Sequence, residues 1–143
     1  MDDELAQDQG EEHPEVLMDS PGGVYAASPR QLLTVAHHML RWSARMTVLA
    51  HQGGVTAEEE RCYCLHRAVV ADRVALLTGM PADVDEASFT AAALLALDDA
   101  FIAPPEAGVV LAPREYVRAS YRVWMNANPT LDPLTPGDWG VAV

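Results

Sequence analysis

Lysine is absent from the 143-residue chain, so all nine basic side chains are arginines. With the abundance of alanine, this points to a GC-rich coding sequence and hence to a bacterial source of that kind. Cysteine is nearly absent too. Cys62 and Cys64 are too few for a disulfide framework, and two residues apart on a helix they point to nearly opposite sides. Both are expected as reduced thiols. No run of about 18 apolar residues occurs, which excludes a membrane-spanning helix. The opening Met1-Asp2-Asp3-Glu4 is the opposite of a basic, apolar leader, so a cytoplasmic location is expected.

Several motifs are also lacking. There is no glycine-rich phosphate loop, no HExxH, no GxSxG and no paired-cysteine zinc pattern. No basic recognition helix of the helix-turn-helix type is present. No cofactor or metal is expected on these grounds, and no catalytic residue is marked out.

Charge of one sign dominates. The formal net charge is −12, from 21 acids and nine arginines. Eight of those acids lie between Asp2 and Asp19, with no base among them, so the rest of the chain is only mildly acidic. That balance argues against direct nucleic-acid binding. Residues 1–23 read as an acidic disordered tail and linker. Within them, Glu15-Val16-Leu17-Met18-Asp19 has the form of a short docking motif.

The strongest pattern present is a helical hairpin from Ser28 to Gly79. Ser28-Pro29-Arg30-Gln31 is a capping box with proline at the first helical position. Leu32, Val35, Ala36, Met39, Leu40, Ser43, Met46 and Ala50 then recur at three- and four-residue steps, which predicts an amphipathic helix. Gly53-Gly54 ends it. Thr56 with Glu59 opens a second helix, whose expected inner face holds Cys62, Leu65, His66, Val69, Val70, Val74, Leu76 and Leu77. So short a connection makes the two helices antiparallel neighbours. The register sets His66 level with Ser43 and Cys62 level with Thr47.

A third helix is expected from Asp83, with Ala87, Thr90, Ala91, Leu94, Leu97 and Phe101 inward, ending at Pro104-Pro105. Residues 106–112 read as a connector. Pro113 starts a fourth helix through about Ala127, with Val117, Ser120, Tyr121 and Trp124 on one face. The fold class is therefore all-α: a bundle of about four helices over 24–128, built on a long antiparallel hairpin with flexible N- and C-terminal segments. Val24 and Tyr25 are expected to pack against the body. Residues 129–143 are expected to be a proline-rich extended segment, anchored across the bundle by Leu131, Leu134, Trp139 and Val141.

Three constellations could carry chemistry. Arg114, Arg118 and Arg122 recur every four residues, with Tyr121 beside them, and such a row can grip a partner's carboxylates or an anion. It can equally pair with the chain's own acids, or be masked by the acidic tail until a partner displaces it. His37 and His38 fall level with Asp72 across the hairpin, a pairing that could tune a proton-transfer group. His51 with Glu58 is a similar pair beside the turn. Cys62 and His66 are one turn apart and could share a metal, but Cys64 faces elsewhere, and His37 and His38 lie about 9 Å away along the axis. The plain alternative makes Cys62 a small buried residue and His66 a boundary residue.

These features favour a small non-enzymatic cytoplasmic protein that acts by binding another protein, as adaptor, regulator or inhibitor. A homodimer through the hairpin, with Trp42 near its polar edge, fits as well. One alternative is an acidic decoy of nucleic acid that blocks a nucleic-acid enzyme. Another is a ligand- or metal-binding enzyme with a histidine site between helices.

Overall fold

The computed structural model describes residues 24–25, 28–98 and 112–137. These form four α-helices and no strand: α1 (Pro29–His51), α2 (Ala57–Thr78), α3 (Pro81–Asp98) and α4 (Pro113–Ala127). Both capping boxes form as expected. The Ser28 hydroxyl accepts from the Gln31 N–H at 3.2 Å, and the Thr56 hydroxyl accepts from the Glu59 N–H at 3.0 Å. Glycine closes each helix of the hairpin: Gly53 at φ 71° follows α1 and Gly79 at φ 66° caps α2. The third helix starts earlier than expected. Pro81 is its first residue, because the Thr78 hydroxyl accepts from the Met80 N–H and donates to Asp83 at 2.5 Å, and so braces the first turn.

The centre of the bundle is α2. It contacts α1, α3 and α4, whereas α1 is close-packed with α2 alone among the described helices. Accordingly α2 buries residues around most of its girth, from Leu65 and His66 through Ala68 and Val69 to Asp72, Arg73 and Ala75. The main core joins Leu65, Ala68 and Val69 to Ala91 and Leu94 of α3, Val117 and Tyr121 of α4, and Val24. A smaller cluster of Val35, Met39 and Trp42 lies under α1, packed by Leu131 and Leu134. Trp124 touches both.

Some expected faces are rotated. Leu40 is 70% exposed while Trp42 is 4% exposed, so Trp42 is not an edge residue. Its indole has more apolar area to bury, and it finds the rings of Tyr63 and His66 at 5.4 and 5.9 Å. The antiparallel register expected for His66 is thus met by the neighbour of Ser43. Leu76, Leu77 and Leu97 are also exposed. Residues 129–137 run as successive turns rather than extended. Leu131 and Thr135 N–H donate to the carbonyls of Asn128 and Asp132, and Asp132 Oδ1 accepts from the Leu134 N–H at 2.9 Å.

The acidic tail 1–23, Phe101, the connector 106–111, Trp139 and Val141 lie outside the described residues. Among those described, no helix is long and apolar enough to cross a membrane.

Candidate functional site

The arginine row on α4 does not form one open face. Arg114 and Arg118 turn inward onto Asp72 of α2, whose side chain is buried. Arg118 donates from Nε to Oδ2 at 2.8 Å and from Nη2 to Oδ1 at 2.9 Å. Arg114 Nε donates to Oδ1 at 2.6 Å, and the Tyr25 hydroxyl donates to Oδ2 at 2.5 Å. Four bonds match the acceptor capacity of a carboxylate. Burial alone would raise the Asp72 carboxyl, but the bonds from Arg118, Tyr25 and Arg114 hold it below the usual carboxylate range. Burial and the adjacent carboxylate push the Tyr25 phenol up. Asp72 is therefore a fixed charge that ties α4 and the segment before α1 to the central helix. Its oxygens go to these donors rather than to His37 or His38.

Arg122, the third member of the row, is exposed. Tyr121 is buried, stacked on Trp124 at 5.9 Å and tilted against Tyr25 at 5.6 Å, and burial pushes its phenol up. A second node repeats the clamp at the other end of the core. Arg61 of α2 forks onto Asp98 of α3 at 2.9 and 2.8 Å, and the Tyr116 hydroxyl of α4 donates to the same carboxylate. The Arg61 bonds hold the Asp98 carboxyl low against its partial burial, with Tyr116 assisting.

His66 sits where the two clusters meet. Its ring lies 4.5 Å from Trp124, 5.8 Å from Tyr121 and 5.9 Å from Trp42, measured between centroids. Burial, helped by Arg61, pushes its pKa down to about 3, so the imidazole is neutral near pH 7. Cys62 is half-buried against the α1 cluster, and burial pushes its thiol up to about 11; burial raises Cys64 as well. Among the described residues no three histidine, cysteine or acidic side chains group as metal ligands. His37 is exposed and His38 half-buried, with their rings 5.8 Å apart. His51 and Glu58 are exposed at the hairpin turn.

What the sequence reading did not find is a trough between α1 and α2. One part, of about 370 Å³, is walled by Met39, Leu40, Tyr63, Val70 and Val74, with Asp83 and Glu86 at its rim. A second, of about 540 Å³, continues past Met46 and Ala50 towards the hairpin turn. Ser43, Tyr63 and Arg67 line both. The Arg67 Nε is buried there without a hydrogen-bond acceptor among the described residues. The available signal was Tyr63 and Arg67, one turn apart on the side of α2 that faces α1. Comparison with protein-family models, with curated proteins and with solved structures finds no match for the chain.

Proposed function

We propose that the protein is a non-catalytic binding module whose docking surface is the trough between α1 and α2. The reading rests on one observation: an apolar trough with a buried arginine donor, Arg67 Nε, halfway along it. From Ala36 to Ala50 the trough runs about 20 Å, the length of an amphipathic helix of nearly four turns. Met39, Leu40, Tyr63 and Val70 suit an apolar stripe at helical spacing. Arg67 calls for a carboxylate near the middle of that stripe. Asp83 and Glu86 call for a basic residue at one end. The proposed occupant is therefore an amphipathic helix of a partner protein with that order of charges. Among the described histidines, an enzyme would have to work through His37, His38 or His51, since His66 is enclosed, and without Asp72, which is saturated.

The test places a photo-crosslinking residue at position 40 of the full-length chain in its native host. A crosslinked partner peptide with a helical apolar stripe and a central acid is the expected product, lost on changing Arg67 to Glu. Crosslinks confined to a second copy of the chain, or to peptides without that pattern, would replace this reading.

A further inference from the structure

Arg73 is the one arginine of α2 that is buried as a whole residue. It is 7% exposed, yet it makes no ion pair or hydrogen bond with a described residue. The adjacent carboxylate, Asp72, is already taken by Arg114, Arg118 and Tyr25. The contact Arg73 does make is with the Tyr25 ring, whose centroid is 5.6 Å from its guanidinium carbon. None of the Arg73 nitrogens is both fully enclosed and unpaired, so the guanidinium is open at the pocket while its stem is covered. A guanidinium on so buried a side chain normally faces an anion.

The space that Arg73 faces is a pocket of about 270 Å³. Ser28 and Pro29 form one wall, and they begin a helix of 23 residues. That helix directs the positive end of its dipole and the Arg30 N–H to this end; Pro29 has no N–H, and the Gln31 and Leu32 N–H groups already donate to Ser28. Leu32, Leu76 and Leu77 supply the apolar surface, with Leu77 57% exposed at the lip. None of these residues lines the α1–α2 trough.

We infer that this pocket binds a carboxylate carried on a short apolar chain, with Arg73 and the start of α1 holding the anion and the leucines holding the chain. One guanidinium and one helix terminus suit a single negative charge better than a phosphate dianion. The leucines exclude a small, fully hydrated anion as the preferred ligand. The same chemistry belongs to a free acid and to the terminal carboxylate of a peptide. The inference does not depend on the trough as a docking surface.

The test titrates the full-length chain with hexanoate, as free acid, and with N-acetyl-leucine, as the end of a peptide, followed by amide NMR. Saturable shifts are expected at Arg30–Leu32, Arg73, Leu76 and Leu77, and the tighter probe names the source. Hexanol should bind at least tenfold more weakly. Arg73→Met should weaken binding at least tenfold while leaving the melting temperature equal or higher, since it removes a charge that has no counter-ion among the described residues. Leu77→Glu sets a like charge at the exposed lip and should weaken binding to a similar degree without disturbing the fold. The inference is overturned if neither probe binds, if hexanol binds as well as hexanoate, or if both variants bind as the parent does. A lowered melting temperature for Arg73→Met, with no loss of affinity in Leu77→Glu, would also overturn it and make Arg73 a stacking partner of Tyr25 only.

Discussion

The two sides of α2 are built differently. On the α3 and α4 side, small residues let the helices approach: Ala68, Ala87, Thr90 and Ala91 are all fully buried. Two charged clamps, at Asp72 and Asp98, then fix α4 and α3 against α2. On the α1 side the contact is made by a few large rings and a C-terminal run of turns, and a trough stays open beside them. A helix can thus be held by close backbone approach and polar saturation, or by scattered bulky contacts that leave apolar surface uncovered. The first suits a scaffold. The second suits a face that a partner completes.

The largest expected effect breaks the scaffold side. Asp72→Ala leaves Arg114 and Arg118 partly buried without a counter-ion and the Tyr25 hydroxyl without its acceptor. A loss of about 3 kcal/mol or more is expected in urea unfolding. A loss under about 1 kcal/mol would mean that the clamp contributes no more than a surface pair.

Next in size is a pH effect from His66, at the seam of the two sides. In the unfolded chain its pKa is near 6.5, and in the fold it is pushed down to about 3. The unfolded state therefore binds the proton first as pH falls. The stability due to neutral His66 is complete above about pH 6.5 and declines as pH falls towards 3. Between pH 7 and 5 the chain should lose about 2 kcal/mol from this group. His66→Met should flatten that interval. The lowered Asp72 carboxyl acts only at lower pH, below the unfolded carboxylate range near 4. An equal slope in parent and variant would remove His66 as the cause.

A smaller effect isolates the α1 side. Gly137 has φ 89°, and a Cβ there would stand 2.6 Å from the Trp42 ring. Its carbonyl also accepts from Arg45 Nη2 at 2.6 Å. Gly137→Ala should cost about 1–3 kcal/mol through strain and displacement. In hydrogen exchange it should loosen α1 near Trp42 and leave α3 protected. Uniform loss across all four helices would show the two sides to be one cooperative unit.

The limits of the α1–α2 hairpin were legible because they rest on local chemistry. Ser28 with Gln31, Thr56 with Glu59, and Gly53 and Gly79 each act within a few residues. The inner face of α3 was legible through Leu94, and that of α4 through Val117 and Tyr121. The faces of α1 and α2 were less so, because tertiary partners decide between Leu40 and Trp42, and because α2 buries His66, Asp72 and Arg73, which blur its apolar period. The regular spacing of Arg114, Arg118 and Arg122 was visible, but not its target. Asp72 is 42 and 46 positions from its two arginines, and only the fold brings them together. A trough between two helices is a property of their separation, which no periodicity encodes.

The smallest expected effect is the sharpest test of the comparison. Leu40 stands 70% exposed on the lip of the trough, and Leu94 is fully buried on the scaffold side. Glutamate is a good helix former, so Leu40→Glu removes little that folding uses. Its stability change should stay within about 0.5 kcal/mol, the range of ordinary surface substitutions. Leu94→Glu should prevent folding, because it places an unpaired carboxylate in the core. A marked loss for Leu40→Glu would mean that Leu40 is already covered in solution. Sedimentation would then show whether a second copy covers it: a parent dimer that Leu40→Glu converts to monomer would make the trough a self-association surface in place of a partner's dock. A monomer for both, with unchanged stability, leaves the α1 side open, as the contrast with α3 and α4 requires.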